Sequence, residues 1–245
     1  MWNAFLWGLL ATSSLFLGGS IASRFSLNKK ILGIIMAFGA GTLISAVSYE
    51  LVYEAVKLAK GTGFPGFGLF AGALTFFFSE KLIDKYSTGH QTATKASEQT
   101  GLLIPMVLAI ILDGVPESIV IGLGIFEGGT VSMAMLVAVF ISNLPEAIAG
   151  TTGMKAAGWR RGKIALLWLI IAVICAFASV AGFSLFSRAS DNWLSFIQAF
   201  AGGAILIMLA NSMIPESYER GGKLAGLFTI LGFSVSVLVV ILENS

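Results

Sequence analysis

A chain of 245 residues that is 56% hydrophobic and 11% charged, with mean hydropathy +0.90, does not have the composition of a soluble domain, which carries roughly 25% charged residues. Its formal net charge of +2, spread over short connections, excludes a nucleic-acid binder acting through a basic patch. The single cysteine, Cys175, excludes an internal disulfide and reads as a buried thiol.

In chain order, uncharged stretches near the ~20 residues that cross a bilayer fall at 1–23, 31–49 and 61–79. No positive charge precedes Arg24, so the first stretch reads as a membrane helix and not as a cleaved signal peptide. A polar segment rich in Ser and Thr follows at 79–100 and holds the only histidine, His90; it is the one linker of the chain. Two spans with internal charge come next: 101–126 with Asp113 and Glu117, and 128–154 with Glu146. The apolar stretches 164–187, 192–215 and 224–242 complete the set. The runs are too long for strands and lack barrel alternation. The expected fold is therefore all-α, a single polytopic membrane domain over 1–245 with eight transmembrane helices.

Twelve of the 15 basic residues fall in the connections after the first, third, fifth and seventh spans. The other three, Lys57, Lys60 and Arg188, fall on the opposite side. This bias places both termini outside a cell membrane and the 79–100 segment in the cytoplasm.

Weak internal similarity accompanies this layout. Phe38-Gly-Ala-Gly41 and Phe200-Ala-Gly-Gly203 lie 162 residues apart, as do Glu54-Ala55 and Glu216-Ser217. The spans that carry them cross in opposite senses. Pro116-Glu117 and Pro145-Glu146 match in the same way on the fourth and fifth spans. The pattern expected is an inverted repeat of three, two and three helices, as in many secondary transporters.

Three of the five prolines precede a glutamate inside an apolar stretch: Pro116-Glu117, Pro145-Glu146 and Pro215-Glu216. A carboxylate at the bilayer centre costs about 3 kcal/mol or more unless it has a partner or a polar cavity. A proline removes the helix hydrogen bond to the carbonyl four residues back, here Leu112 and Ile141. Asp113 and Glu117 are four residues apart and share a helix face; Ser142 and Glu146 repeat the spacing, with Asn143 beside them. Both pairs fall near mid-bilayer, and no Lys, Arg or His lies beside them in these spans. Unpaired carboxylates there either take up protons or hold a cation. Oxygen donors of this kind suit hard and borderline divalent ions. Glu50, Glu54, Asn211 and Glu216, nearer the membrane surfaces, are candidates for the route to and from such a site. Glu54 and Glu219 read equally well as solvated helix ends.

These residues resemble the ZIP family of divalent-metal transporters over nearly the whole chain. Asp113-Gly-Val-Pro-Glu117-Ser118 is similar to the family's fourth-helix pattern His-Asn-x-Pro-Glu-Gly. Ser142-Asn143-Leu-Pro-Glu146-Ala147 is similar to its fifth-helix pattern. Glu50-Leu-Val-Tyr-Glu54-Ala55 and Met213-Ile-Pro-Glu216-Ser217 are similar to motifs on its second and seventh helices. The resemblance implies a metal site of Asp113, Glu117, Ser142, Asn143 and Glu146, transport towards the cytoplasm by alternating access, and a homodimer. The family's membrane histidines are replaced here, by Asp113 and Glu50, so Mn²⁺ or Fe²⁺ stands beside Zn²⁺ as a candidate substrate. No cofactor is implied. A proton-coupled transporter of another substrate stays open. An intramembrane metalloenzyme is disfavoured, because catalytic zinc takes two or three His or Cys ligands that these spans lack.

Overall fold

The structure is a computed structural model that describes residues 1–26, 28–91, 103–128, 132–185 and 189–243. It is all-helical among the described residues. Among these residues eight long helices follow one another: α1 Trp2–Arg24, α2 Lys29–Ala59, α3 Phe64–Gln91, α4 Leu103–Gly128, α5 Met133–Ala156, α6 Arg161–Leu185, α7 Asp191–Gly221 and α8 Leu224–Glu243. Seven of them are long and apolar enough to cross a membrane; α4, 26 residues long, carries Asp113 and Glu117. The protein is a multi-pass membrane protein. Its outer surfaces agree, with Phe67, Phe70 and Phe78 on α3 and Leu227, Ile230 and Leu238 on α8 all turned outward and at least 59% exposed. That apolar area is costly in water and neutral in lipid.

Three local features depart from the sequence reading. Helix α3 does not stop at residue 79 but continues to Gln91, so thirteen residues of the expected linker begin as helix; 92–102, with Lys95, and the His90 side chain lie outside the described residues, as does Arg188. Neither Pro116 nor Pro145 breaks its helix. The interruptions fall instead on α2 and α7, as π-helical turns at Val47–Tyr53 and Leu209–Met213. Pro215 lies two residues after the second turn and removes the donor for the Asn211 carbonyl. No proline accompanies the first. Both turns start 162 residues apart, the spacing that relates Phe38 to Phe200.

Packing divides the helices into two groups. Helices α1, α4, α5 and α6 pack mainly on one another, as do α2, α3, α7 and α8, and α2 meets α5 across the boundary. Glycines set the closest approaches. The Cα of Gly41 sits so near the Thr229 carbonyl that a Cβ would lie 1.9 Å from its oxygen; Gly203 faces the Leu69 carbonyl at the same distance. Gly232 likewise abuts Phe38, and Gly72 abuts Phe200. Each contact between α2 and α8 thus has a counterpart between α7 and α3. In lipid, where burying apolar surface gives no drive for association, such backbone proximity supplies much of the packing. At the boundary, Gly39 lies against the Ser142 backbone, which brings the Ser142-Asn143 step of α5 beside α2.

Candidate metal site and its two approaches

Several hydroxyl groups in the helical interior satisfy themselves locally, while those of Ser45, Ser179 and Ser236 have no partner among the described residues. Ser118 donates to the Gly114 carbonyl at 2.8 Å, Ser142 to Val139 at 3.1 Å and Thr42 to Gly39 at 2.8 Å. A short side chain reaches the carbonyl three or four residues back, so such a residue needs no tertiary partner. A carboxylate has no proton to give and cannot use this solution. Glu117 on α4 is 1% exposed, and neither of its oxygens has a hydrogen-bond partner among the described residues. The Asn143 Nδ2 on α5, in a residue also 1% exposed, is equally without an acceptor. Buried polar atoms are nearly always paired, so two such groups on facing helices are a mark of function.

Asp113 and Glu146 lie within charge range of the Glu117 carboxylate. Asp113 interacts through charge with Glu117, and both interact with Glu146. Ser142 is fully buried, and its hydroxyl oxygen keeps acceptor capacity while donating to Val139. The structure therefore gathers Asp113, Glu117 and Glu146 into one electrostatic neighbourhood, with Ser142 and Asn143 on the α5 side of it. It does not bring three His, Cys, Asp or Glu side chains to ligating distance of one point among the described residues.

Two cavities approach this neighbourhood from opposite ends. One, of about 900 Å³, opens between α5 and α7 and is lined by Thr152, Asn211, Ser212, Glu216, Lys29 and Arg220. Its wall at Ala149 and Thr152 lies three and six residues beyond Glu146, roughly 5–9 Å along the helix. Glu216, within charge range of Glu146, is ion-paired with Arg220. The other cavity, of about 40 Å³, is lined by Glu50, Ser132 and Gln198 together with Leu51, Val120, Ile121, Leu123 and Met135. All five of these apolar residues are at most 4% exposed, and they form a plug one to two turns beyond Glu117.

The route candidates separate accordingly. Glu50, half-buried on the π-helical turn of α2, and Glu216 each line a cavity. Asn211 lines the large one, and its Nδ2 donates to Glu80 at 2.9 Å. Glu54 stands apart, paired with Lys57 at 2.8 Å on the surface. Glu219 lines the rim of the large cavity and is exposed. Glu80 on α3 was not singled out by sequence reasoning. It is in charge contact with Asp113 and receives hydrogen bonds from Asn211 and Ser212. The signal available was its place at the end of an apolar run, on the side of the basic connections. Cys175 on α6 is fully buried, as expected, and lies against Gly114.

No family model matches the chain. It is 28% identical over 211 residues to the zinc transporter GufA of Myxococcus xanthus, covering 80% of each chain. It is 21% identical over 221 residues to a protein of Arabidopsis thaliana provisionally named a zinc transporter, covering 89% of this chain. This chain spans about 35% of the length of that plant protein.

Proposed function

We propose that this protein carries divalent metal cations across a membrane by alternating access, at a site formed by Asp113, Glu117 and Glu146 with oxygens from Ser142 and Asn143. The observation that carries the reading is the Glu117 carboxylate, buried with both oxygens unpaired among the described residues and two further carboxylates within charge range. A divalent cation supplies the attraction that mutual repulsion among three carboxylates denies, and draws them to a common point. The names of the two relatives support metal transport in general and put Zn²⁺ among the candidates. The all-oxygen donor set favours Mn²⁺ and Fe²⁺ equally well.

The basic connections mark the cytoplasmic side, and the 900 Å³ cavity opens beside Lys29 and Arg220 on that side. The structure corresponds, on this reading, to an inward-open form in which metal leaves past Glu216 and Asn211. The matched glycine contacts and matched π-helical turns support an inverted repeat of three, two and three helices. Exchange of conformation between two such halves generates the opposite opening. The moving unit is the group α1, α4, α5 and α6, which carries the site as one body against α2, α3, α7 and α8.

Reconstituted proteoliposomes with a metal indicator inside test this. Zn²⁺, Mn²⁺ or Fe²⁺ should enter saturably. Flux that follows a proton gradient and does not respond to any of these metals would favour a proton-coupled carrier of another substrate.

A further inference from the structure

One contact on the closed side has no role in the metal site. Glu243, on the last turn of α8, reaches the first turn of α5: its carboxylate accepts from the Met133 N–H, from the Ala134 N–H at 3.3 Å and from the Ser132 hydroxyl at 3.5 Å. These are donors that a helix start leaves without internal partners, and a negative charge at the positive end of the helix dipole strengthens the contact. The contact joins the two packing groups, since α8 belongs with α2, α3 and α7 and α5 with the others. Ser132 is also part of the lining of the 40 Å³ cavity, which it shares with Glu50. With Ser132 capping α5 through the Met135 N–H at 3.2 Å, the start of α5 is held at the mouth of the closed cavity.

We propose that Glu243 is a latch that fastens α5 to α8 when the Glu50 side is closed, and that it must release for that side to open. The inference rests on the transporter reading for its purpose, though not for its test. At the other end no comparable bond ties α5 to the second group across the 900 Å³ opening among the described residues. The end of α5 there is tied within its own group, through the Lys155 ammonium and the Ala22 carbonyl of α1 at 2.8 Å. The latch is thus made on the side that is shut and has no counterpart among the described residues on the side that is open.

Two reporter cysteines read the two cavities in nanodiscs, where both faces are accessible to a water-soluble maleimide. Gly124→Cys lines the closed cavity at a position with nothing within 4 Å of an added Cβ; Ala156→Cys lines the open one. Cys175, fully buried, is retained and serves as the background. In the parent, Ala156→Cys should label at least tenfold faster than Gly124→Cys. Adding Glu243→Gln should raise the Gly124→Cys rate at least fivefold and lower the Ala156→Cys rate, with Glu243→Asp between the two. Unchanged rates overturn the latch, and so does a rise at both reporters, which is the signature of a loosened fold. No metal is needed, so absence of metal flux from proteoliposomes together with reciprocal labelling would sink the transport reading and leave the latch standing.

Discussion

The two ends of the α4–α5 pair meet the same carboxylates through very different surroundings. Beyond Glu146 the helix faces a cavity of about 900 Å³ with Glu216, Asn211 and Thr152 in its wall. Beyond Glu117 it enters a plug of Leu51, Val120, Ile121, Leu123 and Met135, with only about 40 Å³ of free space beside Glu50. The asymmetry is not one of fold, because the close contacts of α2 with α8 recur between α7 and α3. Similar scaffolding surrounds one wide approach and one narrow one. The alternating-access reading proposed above rests on this one-sided access and would be weakened by a passage open along its length.

The largest effect is expected at the meeting point. Glu117→Ala and Glu146→Ala should each lower metal flux at least a hundredfold with the protein still monodisperse and helical, since each removes charge and no packing partner of size. Near-normal flux in either variant would move the site elsewhere.

Next in size is a test of the scaffold's two halves. Gly41→Ala and Gly203→Ala both push a methyl to 1.9 Å from a backbone oxygen and should each destabilise by about 1–3 kcal/mol, as read by thermal unfolding in detergent. Gly226→Ala, a helical position with nothing within 4 Å, should be neutral or stabilise by up to about 1 kcal/mol. Unequal losses at Gly41 and Gly203 would weaken the equivalence of the two halves.

Asp113→His sharpens the chemistry. Exchanging an oxygen for an imidazole nitrogen should move the preference towards Zn²⁺ over Mn²⁺ by about tenfold, in the order expected for these ions. Competition assays with an unchanged ratio would remove Asp113 from the ligand set. The smallest effect is reserved for Glu54→Gln, which disrupts only a surface pair with Lys57 and should leave flux unaltered.

The sequence made much of this legible, and the limits are physical. Helix positions followed from runs of uncharged residues, because the bilayer allows no other way to satisfy the backbone. Asp113, Glu117 and Glu146 stood out in the sequence by the absence of a base nearby, and of the three it is Glu117 that is found buried with both oxygens unpaired among the described residues. The 162-residue offset could be read from Phe38 and Phe200, and it reappears in the π-helical turns. The turns themselves were not legible: Val47–Tyr53 contains no proline, and its extra residue per turn leaves no compositional trace. Pro116 and Pro145 misled in the other direction, since a helix held on both sides by neighbours accommodates one missing bond. Glu80 and Glu243 were missed because each sits at the end of an apolar run, where acidic residues are ordinarily solvated; only the neighbouring helix gives them partners.

The most direct measurement is an anomalous difference map from crystals of the protein soaked in Mn²⁺ or Zn²⁺. The account places the strongest peak among Asp113, Glu117 and Glu146, at roughly 2.0–2.2 Å from at least one Glu117 oxygen for Zn²⁺, and lost in Glu117→Ala. Peaks confined to Glu216, Glu219 or Glu50, with none beside Glu117, would contradict it.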